Sequence, residues 1–136
     1  SVLATFRTVP EARGDHAYGP GKWTLKESLL HMIDAERVFA YRLLRVARAD
    51  STPLPGFDQD AWIPHCDAAL RTVASLTEEF ASVRAATLTL VDSLTEAAWV
   101  RTGTASAKPV SARALAWIIA GHTTHHLALL RDRYLA

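Results

Sequence analysis

The stretch GKWTLKESLLHMIDAERVFAYRLL, residues 21–44, decides how this chain folds. It contains Thr24-Leu-Lys-Glu27, a capping box in which the threonine oxygen and the glutamate carboxylate satisfy free N–H groups at a helix start. Leu29, Leu30, Met32, Ile33 and Phe39 then supply apolar faces. The helix is predicted to run to about Ala49, because Asp50 and the following STPLPGF, with Pro53, Pro55 and Gly56, stop it. The side that carries His31 is different: it holds Glu27, Ser28, Asp34, Ala35 and Val38. A polar strip inside a bundle costs free energy unless it is paired or bound to something.

Outward from this helix the pattern stays helical. Alanine, leucine and arginine dominate, strand-type alternation is poor, and no internal repeat is present. SVLATFRTV offers Val2, Leu3 and Phe6 before Pro10, a helix of about two turns, too short to stand alone. Its N-terminal part is therefore expected to be missing, and a start at Ser1 fits a processed or trimmed chain. EARGDHAYGPGKW, with three glycines and one proline, reads as loop. DQDAWIP reads as a short helical piece interrupted by Pro64. A third helix is predicted from about His65 to Val91, with Leu70, Val73, Leu76, Phe80, Val83, Thr87 and Leu90 in the core. TEAAWV is a short element, GTASAKPV a loop, and Ser111 caps a last helix reaching about Tyr134. Four helical segments without a sheet predict an all-α four-helix bundle, one domain over residues 1–136. The connections after the second and third helices, about 15 to 20 residues each, exceed the usual bundle loop and suit a crossover or a pocket mouth.

Composition narrows the function classes. The chain has 136 residues, 49% hydrophobic and 21% charged, enough for one buried core. No apolar run approaches a membrane span, and the N-terminus lacks a signal-peptide pattern. The net charge of +1 implies neither a nucleic-acid stripe nor an acidic-partner surface. Cys66 is the one cysteine, so no internal disulfide forms; it reads as a small buried filler, with a soft metal ligand as the alternative, and the cytoplasm is the expected compartment. Trp23, Trp62, Trp99 and Trp117 read as core or element-end packing, and YRLLRVARAD as a solvated face.

GHTTHH, residues 121–126, carries the chemistry. At about 100° per residue, Leu115, His122, His126 and Leu129 share one sector of the last helix, with His125 at its edge. Two histidines one turn apart on a face can chelate one ion. Neutral histidines with satisfied ring nitrogens would look the same in sequence. An HExxH protease motif is absent, since position 123 is threonine. His31 is the best third ligand, and three histidines with open positions make a catalytic-type site for zinc, nickel or iron. Asp34 could orient a ligand imidazole or act as a base, or could pair with Arg37 or Arg45. His16 and His65 read as surface residues.

Four stretches together carry a family resemblance: residues 21–44, LPGFDQDAW (54–62), EFASVRAATL (79–88) and AGHTTHHLALL (120–130). In order and spacing the chain resembles the DinB/YfiT-like superfamily of bacterial metal-binding four-helix bundles. The resemblance implies an up-down-down-up bundle with a long crossover between helices two and three, and a longer first helix. It implies a divalent metal on His31, His122 and His126, with water in the remaining positions. Thr123 departs from the acidic residue often found after the first C-terminal histidine, and His125 matches a position not normally used as a ligand.

Similar superfamily members include transferases and isomerases that use low-molecular-weight thiols such as mycothiol or bacillithiol. The expected function is therefore a metal-dependent enzyme of thiol-transferase type, or a related hydrolase, with a small thiol and an electrophile as partners. Asp34 would orient a ligand imidazole or act as the base. The competing expectations are a non-catalytic metal-binding stress protein, dimeric through helix faces, and a bundle with purely structural histidines.

Overall fold

A computed structural model describes residues 2–136. It contains α1 (Val2–Arg7), α2 (Leu25–Ala47), α3 (Gln59–Trp62), α4 (Val73–Asp92), α5 (Glu96–Trp99), strands β1 (Thr102–Ala105) and β2 (Lys108–Ser111), and α6 (Ala112–Leu129). A π-helical turn, Leu130–Tyr134, extends α6.

Helices α1, α2, α4 and α6 form the up-down-down-up bundle. The direction of α4 follows from its partners on α2. Arg37 meets Glu79, and further along both helices Leu44 faces the same groove as Leu90. These helices run parallel, so the chain must cross the length of the bundle between them, and residues 48–72 do so. Helix α6 runs back against α2: Val46 packs with Ala112 and Leu115, and His31 meets His122.

Both long-helix starts follow local chemistry. Thr24 Oγ1 accepts from Glu27 N at 3.2 Å, and Thr24 N donates to Glu27 Oε2 at 2.7 Å, completing the capping box. Helix α4 starts later than the predicted His65. Asp67 sits in the left-handed region at φ 51°, which breaks the segment into short turns. Thr72 caps the helix through Ser75 N, while the Glu11 carboxylate accepts from Val73 N at 2.9 and 3.1 Å. Leu70 consequently lies outside the helix and is 85% exposed, not in the core.

GTASAKPV, expected as a loop, is a β-hairpin in which Thr102 opposes Ser111 and Ala105 opposes Lys108. Ser106 and Ala107, both left-handed at φ 50° and 61°, make its two-residue turn. Gly103 lets β1 lie against α2, since a Cβ there would come 2.9 Å from Val46 Cγ2. The crossover joins the hairpin edge: Leu54 N donates to Thr104 O, and Ser106 N donates to Leu54 O.

Arg42, expected on a solvated face, is 7% exposed. It lies near the Phe39 and Phe57 rings and donates to Pro55 O at 2.8 Å and Ser106 Oγ at 3.1 Å. Trp117 (72% exposed) and Trp62 are on the surface, whereas Trp99 packs on the core.

Two apolar clusters fill the bundle. One gathers Phe6, Leu25, Leu29, Met32, Ile33, Leu76, Phe80 and Leu130; the other gathers Leu43, Val46, Ala112, Leu115 and Ile119. Cys66 packs, half-buried, on the first. Along α2, α4 and α6, Glu36, Arg84 and Thr123 lie between the two clusters, next to the histidines.

Candidate metal centre

The cap at Thr24 fixes the phase of α2 and turns His31 inward, where it is 7% exposed. Helix α6 presents His122 and His126 from the opposite wall. His31 Nε2 and His122 Nε2 are 3.0 Å apart. Ring centroids are 4.8 Å apart for His31 and His126, and 4.5 Å for His122 and His126. One donor nitrogen from each of the three lies within 4.8 Å of the others. Trp23 packs on the His31 ring at 4.9 Å and Phe39 on His122 at 5.4 Å, so aromatic walls fix two of the imidazoles. His125, one residue before His126, points to solvent. His16 and His65 are exposed, as expected.

Electrostatics favour neutral rings. Burial, and then the neighbouring histidine charge, push each of His31, His122 and His126 down to about 4. Their lone pairs are therefore available at neutral pH. His126 Nδ1 is buried and, among the described residues, has no hydrogen-bond partner. A buried, orphaned imidazole nitrogen costs free energy unless something binds it. Three neutral imidazoles and one orphaned nitrogen fit a borderline-soft divalent cation, and they leave coordination positions open for a reactant.

The same shifts set a pH dependence for the metal-free protein. A folded pKa near 4 against an unfolded value of 6.5 means that the unfolded chain binds more protons between these pH values. The stability of the neutral triad is thus complete above 6.5 and drains away as pH falls towards 4. The melting temperature of the metal-free protein is expected to fall across this window. His31→Phe should flatten the decline, and a pH-independent melting temperature would refute the coupling.

Asp34 lies outside the cluster. It is half-buried, and its Oδ1 is 3.7 Å from Arg37 Nη1. Burial raises its pKa against the pull of Arg37. Glu27 is occupied in the helix cap. A polar layer beside the site is not apparent from the sequence. Arg84 grips the Glu36 carboxylate with two bonds, 2.8 and 2.7 Å, and donates to Thr123 Oγ1 at 2.8 Å. Thr123 in turn donates to Ile119 O. This network ties α2, α4 and α6 together beside the histidines. Its signal was spacing: Glu36 falls at the point where Leu29, Met32 and Leu43 require an apolar residue.

A cleft of about 260 Å³ opens beside the triad. His126, Trp23, Ser28 and Tyr134 form its inner part, with Tyr18, Lys22 and Asp60 nearer solvent. Tyr134 donates to Trp23 O at 2.8 Å and meets the Tyr18 ring edge-on at 5.1 Å, which fixes the wall.

Fold and site together define a mostly helical bundle, with one small hairpin, that carries a histidine cluster suited to a metal ion. The chain belongs to the DinB superfamily, whose sequence pattern matches residues 1–130. Among solved structures it is similar to YfiT from Bacillus subtilis, described as "a probable metal-dependent hydrolase with an unusual four-helix bundle topology". That likeness has a TM-score of 0.81 at 16% identity and covers 96% of this chain and 78% of that one, so it is a likeness of fold. No curated protein sequence matches the chain. No helix among the described residues is long and apolar enough to cross a membrane.

Proposed function

We propose that the protein is a divalent-metal enzyme in which His31, His122 and His126 hold zinc, nickel or iron, and that its reaction is thiol transfer. The observation that supports this most is the buried, orphaned Nδ1 of His126 within a neutral histidine triad that borders an open cleft. A divalent cation held there would lower the pKa of a thiol sulfur and so supply a thiolate nucleophile. In the transfer a thiol R–SH and an electrophile R′–X give R–S–R′; the S–H proton leaves with X or to solvent.

The acids around the site leave ionisation of the nucleophile to the cation. Glu27 is held in the helix cap, Glu36 by Arg84, and Asp34 faces Arg37. A thiol beside a cation ionises without a general base, as does a cation-bound water, so the choice of the thiol follows the family resemblance. Asp34 would then act at most by tuning the field around His31. A hydrolase is the second reading, favoured by the description of the similar Bacillus protein.

Metal analysis of freshly purified protein tests the common premise. About one equivalent of divalent metal is expected in the wild type, and none in His126→Ala with its helical content retained. Metal-dependent conjugation of a small thiol to a chromogenic aryl halide supports transfer. Metal-dependent ester or amide hydrolysis without thiol supports the second reading. Stoichiometric metal with neither reaction leaves a metal-binding stress protein, and absence of metal at neutral pH sinks all three.

A further inference from the structure

Two charged side chains in the cleft have no role in holding the fold. Lys22 and Asp60 both line it, on opposite connections: Lys22 on the loop before α2, Asp60 in the first turn of α3 on the crossover. Lys26, four residues after Lys22, is committed to Glu11 and Asp15. Asp58, two residues before Asp60, is committed to the cap of α3. Among the described residues, neither the Lys22 ammonium nor the Asp60 carboxylate has an ion pair or hydrogen bond, and the two do not pair with each other. Both are solvent-exposed and accessible to a ligand. Tyr18, Trp23, Tyr134 and His126 line the same cleft.

We propose that this cleft binds a small zwitterion of the α-amino acid or dipeptide type, with its carboxylate at Lys22 and its ammonium at Asp60. The chain between those charges lies on the aromatic walls, and the side-chain donor atom points to His126. The assignment rests on the metal reading in one respect only, the partner for that donor. One unpaired charge of each sign in a single cleft matches a ligand carrying both, whereas a simple anion or cation would meet one attraction and one repulsion. The aromatic faces add cation–π attraction for the ammonium. A cleft of about 260 Å³ lies below the roughly 300–1,000 Å³ of drug-sized sites, which fits a ligand of this size.

Four small thiols of nearly equal size test this by calorimetry: L-cysteine, cysteamine (no carboxylate), mercaptopropionate (no ammonium) and mercaptoethanol (neither). With zinc-loaded protein, L-cysteine is expected to bind about fivefold tighter than each singly charged analogue, the upper range for an exposed ion pair. Mercaptoethanol should bind weakest. Lys22→Met should abolish the advantage of cysteine over cysteamine alone, and Asp60→Asn its advantage over mercaptopropionate alone. Each variant thus controls for differences in thiol acidity. Identical ranking in the wild type and both variants overturns the assignment. The same series on metal-free protein, with zinc content measured on each sample, separates the two readings. Variant-sensitive discrimination without zinc uptake upholds the zwitterion and overturns the metal. Zinc uptake without variant-sensitive discrimination does the reverse.

Discussion

Arg84→Met is expected to destabilise the protein by about 3–5 kcal/mol, the range for stranding one partner of a buried ion pair. Glu36 is 2% exposed, and Arg84 is its ion-pair partner. Removing the guanidinium leaves a carboxylate inside the bundle with no counter-charge. It also takes a donor from Thr123. The pair itself is a different matter, because desolvating two charges offsets most of their attraction. Arg84→Met combined with Glu36→Leu should therefore recover most of the loss. Denaturant unfolding measures both variants, and a single-variant cost under about 1 kcal/mol would remove this layer from the list of what holds the bundle together. Because Thr123 follows His122, the single variant should also loosen metal binding, a readout that core damage elsewhere would not move.

Phe80→Ala should cost a similar amount, about 3–5 kcal/mol, from lost burial and the cavity left behind. Phe80 is fully buried and meets Phe6 at a centroid distance of 4.9 Å. Its ring also lies 5.1 Å from the Arg84 guanidinium. Two consequences follow from these contacts. Helix α1, six residues long, docks through Phe6, so amide exchange over residues 2–9 should accelerate more than elsewhere. The losses from Phe80→Ala and Arg84→Met should fall short of additivity, since each removes part of the other's environment. Strict additivity, measured in a double-mutant cycle, would show that the ring–guanidinium contact contributes nothing.

The bundle and the triad were legible because helical periodicity and a capping box are local. Thr24 and Glu27 fix the start of α2, and that start fixes the phase of His31; the one-turn spacing does the same for His122 and His126. What stayed hidden depends on partners distant in sequence. Arg42 looks solvated beside Arg45 and Arg48 until the crossover brings Pro55 and the hairpin brings Ser106 to it. Glu36 is uninterpretable without Arg84, 48 residues later. The hairpin escaped because its turn is Ser-Ala, which carries none of the Asn-Gly preference that marks such turns. The start of α4 was misplaced because its second cap, Glu11, lies 62 residues upstream.

The polar layer between the two apolar clusters is expected to act as a seam in the cooperative structure. Packed methyl groups couple neighbours over a short range, whereas a few directional bonds can open and reclose as a unit. On one side of the seam lie α1, the start of α2 and the chain's end; on the other lie the hairpin and the end of α2. Each half has its own buried apolar cluster, so amide exchange is expected to report separate opening of the two. The histidines sit at that boundary. A ligand bridging His31 to His122, 91 residues apart, would act there as a clasp, making two partly independent halves unfold as one.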